Sequence, residues 1–340
     1  MTAAVVEAVV RGVPGVDADR VLAAVDLRYI RGQTPDVTPV AGSGERVGRA
    51  EVAFALHVVL FADLLDAVPS AAAYVADGRR VVLDHAAVRT VAWPCGGLPP
   101  GREQVTRLLE PLGYERHATY PLTRLRMTGH AYAHLDRPED VPQWFVSELH
   151  PDEFSAPFRQ VVGDLLATSV DPLAAGDRDR LDRLAADGGL PVDDAAALVA
   201  ALRRCFGRHH RLPVDRDLDL LAAESAEMAW IATEGTTANH CTDRVDDVTV
   251  AAEAERAAGR PIKDTIEVSA SGRVRQTAHR AAPVVRTLTT VEGDPVERTV
   301  PGSFFELITR DRLPDGSLDL AFDAANATGI FAMTRPADDG

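Results

Sequence analysis

The sequence predicts an α+β protein in which two β-α-β-β-β modules pair into a half-open barrel, with helices ahead of them and inserted between them. Three observations carry this reading. The order strand, helix, strand, strand, strand occurs over residues 80–150 and returns over 230–312. The first strand of each copy opens on one pattern, Asp84-His85-Ala86-Ala87-Val88-Arg89 and Asn239-His240-Cys241-Thr242-Asp243-Arg244. The stretch between the copies is rich in alanine and leucine at helical spacing, so it is read as an insertion rather than a third module.

Each element follows from local patterning. Residues 1–79 read as a helical cap: Val5–Arg11 and Ala18–Val25 are short amphipathic stretches, and Arg49–Ala76 carries Val52, Leu56, Leu60, Leu64 and Leu65 at helical period, with a break at Pro69. In the first module Arg80–Trp93 is a Val- and Leu-rich strand and Pro99–Leu112 a helix ended by Gly113. Tyr114–Leu122, Arg124–Leu135 and Gln143–Leu149 follow as strands. The insertion, 151–229, is helical from about Pro157 to Ala229, with breaks at Asp187-Gly188-Gly189 and near Leu212-Pro213. The second module reads as strand Thr233–Thr242, helix Asp246–Gly259, short strand Thr265–Ser269, a long β-rich run Arg273–Val291 and a last strand Val296–Arg310. Residues 313–340 form a C-terminal segment expected to close the site.

Composition narrows the class of function. The 340 residues carry 51 acidic and 36 basic side chains, a formal net charge of −15, which argues against a non-specific nucleic-acid binder or a polybasic membrane-surface protein. The longest apolar stretch, near Glu51–Val68, is interrupted by His57, Asp63 and Asp66, so no membrane span is expected. Cys95, Cys205 and Cys241 are isolated and odd in number, which excludes a disulfide framework and a zinc ribbon. The expected setting is cytoplasmic, and the Lys-poor, Ala- and Arg-rich composition points to a bacterial chain.

The repeat also gathers chemistry. Ser147-Glu148-Leu149 and Phe305-Glu306-Leu307 stand on the fourth strands, with Glu148 63 residues after His85 and Glu306 66 residues after His240. Two modules related by a pseudo-twofold axis would turn the histidines and a glutamate into one cavity. Two imidazoles and one carboxylate form a facial triad that leaves coordination positions open, a donor set suited to non-haem Fe(II). Glu148 as a fourth ligand would favour a zinc- or nickel-type isomerase instead. A glutamate inside Phe304-Phe305-Glu306-Leu307-Ile308 needs a cation; a metal is one candidate and Arg310 the other. Side chains four apart on a strand share a face, so Arg89 points into the same cavity as His85 and can clamp an anionic substrate end. Arg244 is its counterpart, and pairing of either arginine with Asp84 or Asp243 is the alternative. His117, His130, His134, His209 and His210 are read as surface or supporting residues.

These segments, with Arg275-Gln276-Thr277-Ala278, Pro301-Gly302-Ser303-Phe304-Phe305-Glu306 and Asn326-Ala327-Thr328-Gly329-Ile330-Phe331, resemble the 2-oxoadipate dioxygenase/decarboxylase (hydroxyglutarate synthase) family of the vicinal-oxygen-chelate superfold. The resemblance runs from about Val81 to Thr334. It implies an Fe(II) cofactor held by His85, His240 and Glu306, with Arg89 on the distal carboxylate and Ala325 and Asn326 touching substrate. Gln276, Arg244, Glu148 and Arg310 are expected around that centre. The implied reaction is O2-dependent oxidative decarboxylation and hydroxylation of a 2-oxo acid to a shortened 2-hydroxy acid. Two other readings stay open: another metalloenzyme on the same modules (a lyase, epimerase or extradiol dioxygenase), or a metal-free small-molecule-binding module. The partners are then a small 2-oxo acid and O2, and the helical insertion is either a lid or the contact of a homodimer.

Overall fold

A computed structural model describes residues 1–27, 46–323, 329 and 332–334. Helices α1 (Ala3–Arg11), α2 (Ala18–Ala24), α3 (Arg49–Ala67) and α4 (Pro69–Ala76) lead the chain, with the short strand β1 (Arg46–Gly48) before α3. The first module is β2 (Leu83–Val91), α5 (Glu103–Leu109), β3 (Tyr114–Leu122), β4 (Met127–His134) and β5 (Gln143–Leu149). The middle holds α6 (Ala156–Leu166), α7 (Ala175–Asp187), β6 (Gly189–Pro191), α8 (Val192–Cys205), α9 (Asp215–Glu224) and α10 (Ala226–Glu234). The second module is β7 (His240–Arg244), α11 (Val248–Ala257), β8 (Glu267–Val268), β9 (Val274–Ala278) and β12 (Phe304–Arg310), with the hairpin β10 (Pro283–Thr289) and β11 (Pro295–Pro301) inserted before its last strand.

Eight strands form one curled sheet in the order β3-β4-β5-β2-β7-β12-β9-β8. That order is a palindrome of the two modules about β2 and β7, which pair antiparallel with Ala86 opposite Cys241 and Ala87 opposite His240. Within each module the first strand lies parallel to the fourth, β2 to β5 and β7 to β12. The outer face of the sheet is apolar and covered by helices. Phe305 sits 6.3 Å from Phe61 of α3 and 5.1 Å from Tyr74 of α4, ring centre to ring centre. Trp144 stacks on Phe206 and packs against the buried His57. On the inner face a second cluster joins Phe145, Met127 and Leu149 to Phe158, Trp230, Ile231 and Leu288 from α6, α10 and the hairpin. Among the described residues no single helix is long and apolar enough to cross a membrane; α3 and α4 pass only together and are bent by 106° at their junction.

Three sequence expectations shift. Thr233–Thr242 is not one strand, because α10 continues to Glu234 and β7 begins at His240. That helix is buried on nearly every side, through Met228, Trp230, Ile231 and Thr233 among others, and packing overrides the threonine-rich local preference. Gly235 ends it with φ +68°, and a Cβ there would stand 2.4 Å from Arg208 Cα, so only glycine fits. The run Arg273–Val291 divides into β9 and β10, and Val296–Arg310 into β11 and β12. The β10–β11 hairpin stands outside the main sheet, in register from Pro283–Pro301 to Thr289–Pro295, with one isolated bridge from Thr289 to Val214.

Phe61 is fully buried between the leading helices and the sheet. Phe61→Ala is expected to cost ~3–5 kcal/mol of unfolding free energy, read from the midpoint shift in urea at unchanged slope.

Candidate metal centre

The seam between β2 and β7 puts two imidazoles at one point. His85 Nε2 and His240 Nε2 lie 3.4 Å apart although 155 residues separate them in the chain. Glu306, on β12 beside β7, brings its carboxylate 3.4 Å from His240 Nε2 and 3.8 Å from His85 Nε2. One ligand atom from each of the three lies within 4.8 Å of the others, and all three side chains are buried. Three donors at ~2.1 Å around one ion, at right angles, would stand about 3 Å apart, so the cluster is close to the size a single ion needs.

The electrostatics suit a bound cation. Neither Glu306 oxygen has a hydrogen-bond partner, and burial, with the Asp84 charge nearby, pushes its carboxyl up to about 8. Burial lowers His85, and lowers His240 well below the usual imidazole range. Both imidazoles are therefore held neutral, which is the form that donates a lone pair to a metal. His85 Nδ1 lies 2.8 Å from Asp84 Oδ1; an N–H donated there leaves Nε2 as the acceptor facing the cluster. Burial works to raise the Asp84 carboxyl, but Arg310, His85 and Arg244 outweigh it and hold it well below the usual carboxylate range.

The cluster sits at one side of a cavity lined by Ala87, Arg89, Phe145, Ser147, Asn239, Gln276, Phe322 and Asp323. Arg89 is fully buried, donates through Nη2 to Thr334 Oγ1 at 2.8 Å, and places its guanidinium 4.7 Å from the centre of the Trp230 ring. The helical insertion thus supplies the surface on which this arginine rests. Phe322 stands edge to face with His85 at 4.9 Å and touches Phe145 at 5.1 Å, an apolar wall beside the cluster.

His85, His240, Glu306, Arg89 and Gln276 are therefore brought together as the sequence suggests. Glu148 is not. On β5 the residues Phe145 and Ser147 face the cavity, and Glu148 on the alternate face accepts the Arg102 backbone N–H at 2.7 Å. The parallel registers explain why the two glutamates are not equivalent. His85 pairs with Gln143, so the counterpart of Glu306 two residues on is Phe145, whereas His240 pairs with Phe304. The similar spacings in sequence arise because the hairpin lengthens the second module, not because the two glutamates are equivalent.

Arg310 does not pair with Glu306. Its Nε donates to both Asp84 oxygens at 3.0 Å. Arg244 reaches the Glu139 carbonyl at 3.3 Å and lies 3.8 Å from Asp84, so it is not a cavity residue. His130, His134 and His210 are buried rather than superficial, and none joins the cluster. Ala325 and Asn326 lie outside the described residues. Sequence reasoning gave no role to Phe145, Phe322, Asp323 or Trp230, whereas Asp84 and Asn239 stand in the repeated motif ahead of the two histidines.

The sequence profile described as 2-oxoadipate dioxygenase/decarboxylase matches residues 52–317. A glyoxalase-superfamily protein from Ralstonia eutropha JMP134 is 47% identical and superposes with a TM-score of 0.87 over 95% of this chain and 99% of its own. Hydroxyglutarate synthase from Oryza sativa, solved in complex with 2-oxoadipate, is 18% identical, with a TM-score of 0.66 over 89% of this chain and 98% of its own. The hydroxyglutarate synthase of Pseudomonas putida gives 17% and 0.61, over 86% of this chain and 75% of its own. At these last two identities the likeness speaks to the fold. No curated protein matches. With the profile covering most of its length and the palindromic sheet beneath it, the chain belongs to the 2-oxoadipate dioxygenase/decarboxylase family.

Proposed function

We propose that this chain is an Fe(II)- and O2-dependent enzyme that converts a 2-oxo acid of the 2-oxoadipate kind into the 2-hydroxy acid one carbon shorter, releasing CO2. The observation that carries the proposal is the buried Glu306 carboxylate, without a hydrogen-bond partner and set against two neutral imidazoles. Such a group is costly to bury unless a cation completes it. A metal-free binding module would instead give the buried Glu306 carboxylate a protein donor, and neither of its oxygens has one. A four-ligand centre would need Glu148, which is occupied by the Arg102 backbone.

His85, His240 and Glu306 would hold the ion on one side. Bound Fe(II) would supply open positions for a chelating 2-oxo acid and for O2, together with the electrons for the oxidation. The rest is work for this chain's own residues. Asp84 keeps His85 in the tautomer that presents Nε2. Arg89 lies on the same strand face as His85, about 13 Å further along by strand rise, and its long side chain can reach back to the far carboxylate of a short diacid. Phe145 and Phe322 keep the cavity apolar beside the ligands, which limits water around the reacting carbons. The substrate itself provides the oxo acid, so no second 2-oxo acid is consumed.

Elemental analysis with O2 uptake and CO2 release, over a panel of 2-oxo acids and diacids, tests the proposal directly. Chelation should abolish turnover and Fe(II) should restore it. His85→Ala, His240→Ala and Glu306→Gln should each lose metal and turnover together, while Glu148→Ala keeps both; equal loss in Glu148→Ala would overturn the triad. Arg89→Met should keep its metal and lose ~10- to 100-fold in kcat/KM for a diacid, the equivalent of a charged hydrogen bond of about 1.5–3 kcal/mol. An analogue with an uncharged end should be nearly indifferent to that change; equal loss on both substrates would remove Arg89 from substrate recognition.

A further inference from the structure

Arg310 is on β12, four residues beyond Glu306, and its side chain is wholly buried without lining the cavity. Its guanidinium faces two ways. Through Nε it holds Asp84, the carboxylate that takes His85 Nδ1. Through Nη1 it donates to the carbonyls of Asp319 at 3.0 Å and Ala321 at 2.8 Å, and its central carbon lies 5.0 Å from the centre of the Phe322 ring. Phe322 in turn stands against His85. Residues 319–323 form a strap beside the cavity, which Phe322 and Asp323 line, tied further by Gln143 Nε2 to the Leu320 carbonyl at 3.2 Å and by the Phe322 N–H to Tyr120 Oη at 3.0 Å.

We infer that Arg310 is a positioning residue that couples the seating of the 319–323 strap to the orientation of His85. The inference rests on the reading of His85 as a metal ligand and goes beyond it. The physical reason is the rigid fork of the guanidinium: its donors are fixed relative to one another, so a shift of Asp84 on one edge moves the donors that hold the strap on the other. An ammonium has no such fixed edges, so lysine at this position keeps the charge and loses the link. Coupling of this kind is reciprocal. If a seated strap favours the His85 geometry that binds an ion, the ion must favour the seated strap by the same factor.

Hydrogen exchange at the backbone amides of Ala321 and Phe322 reads the strap, and titration with Co(II) or Zn(II) reads the site without turnover. In the full chain, added ion should slow exchange at these amides. Arg310→Lys, with its fold checked by circular dichroism, should bind the ion ~10- to 100-fold more weakly, as loss of a ligand's orienting partner commonly does. It should also lose the ion-dependent protection. Asp84→Asn, which keeps the side-chain shape, should do the same and provides the test if Arg310→Lys does not fold. The double variant should be no weaker than the weaker single one, because both act through one path. Ion-dependent protection that persists in either variant, or losses that add in the double, would overturn the coupling. Ion binding without any change at Ala321 and Phe322 in the unaltered chain would overturn it alone and leave the metal reading intact. Failure of the unaltered chain to bind either ion would overturn the metal reading, and the coupling with it.

Discussion

The antiparallel pairing of β2 with β7 is the constraint on which the site depends. Each strand is the first of its own module, and each carries a histidine near the crossing point, with Ala87 opposite His240. Side-chain alternation then sends both imidazoles to the inner face. The register shifts between Leu83 and Ala86, so the pairing is irregular where Asp84 and His85 sit. Asp84 and His85 can therefore form a direct side-chain contact although they are neighbours on one strand. β12 completes the arrangement, because its parallel register with β7 sets Glu306 opposite Thr242 on the same side as His240.

Electrostatics at this seam are divided between two carboxylates with opposite treatment. Asp84 receives Arg310, His85 and the neighbouring Arg244, and is held as an anion by them. Glu306 receives no such donor, and burial drives its carboxyl towards the neutral form. The stronger cation is thus spent on orienting a ligand rather than on neutralising one. A site built in this way keeps its donor atoms available, while Phe305, Phe61 and Tyr74 pack together behind the sheet. The inserted helices contribute to the same end from the inner side: Trp230 of α10 backs Arg89 and donates its indole N–H to the Gly302 carbonyl just before β12.

Much of this was legible in the residues. A four-residue His-to-Arg spacing on a strand means a shared face, and Arg89 indeed lines the cavity with His85. Its counterpart Arg244 shows the limit of that argument, since the same spacing leads to Asp84 and the Glu139 carbonyl. Glu148 and Glu306 look equivalent by separation because loop and hairpin lengths compensate, and separation along a chain does not encode register. The sequence places Arg310 near the centre and offers Glu306, four residues away on the strand, as its acid; its actual partner, Asp84, is 226 residues away.

The sequence by itself determined the two modules, the strands that carry His85, His240 and Glu306, and the apolar setting that makes Glu306 anomalous. Those features follow from local patterning and from a repeated motif, which need no knowledge of distant contacts. Tertiary structure alone decided which carboxylate joins the histidines, where Arg310 and Arg244 find their acids, and that Phe145, Phe322 and Trp230 border the cavity or support its arginine. It also decided that α10 runs on to Glu234 and that β10 and β11 leave the main sheet. Strand register and helix packing depend on contacts between residues far apart in the chain, and those contacts can override local preference.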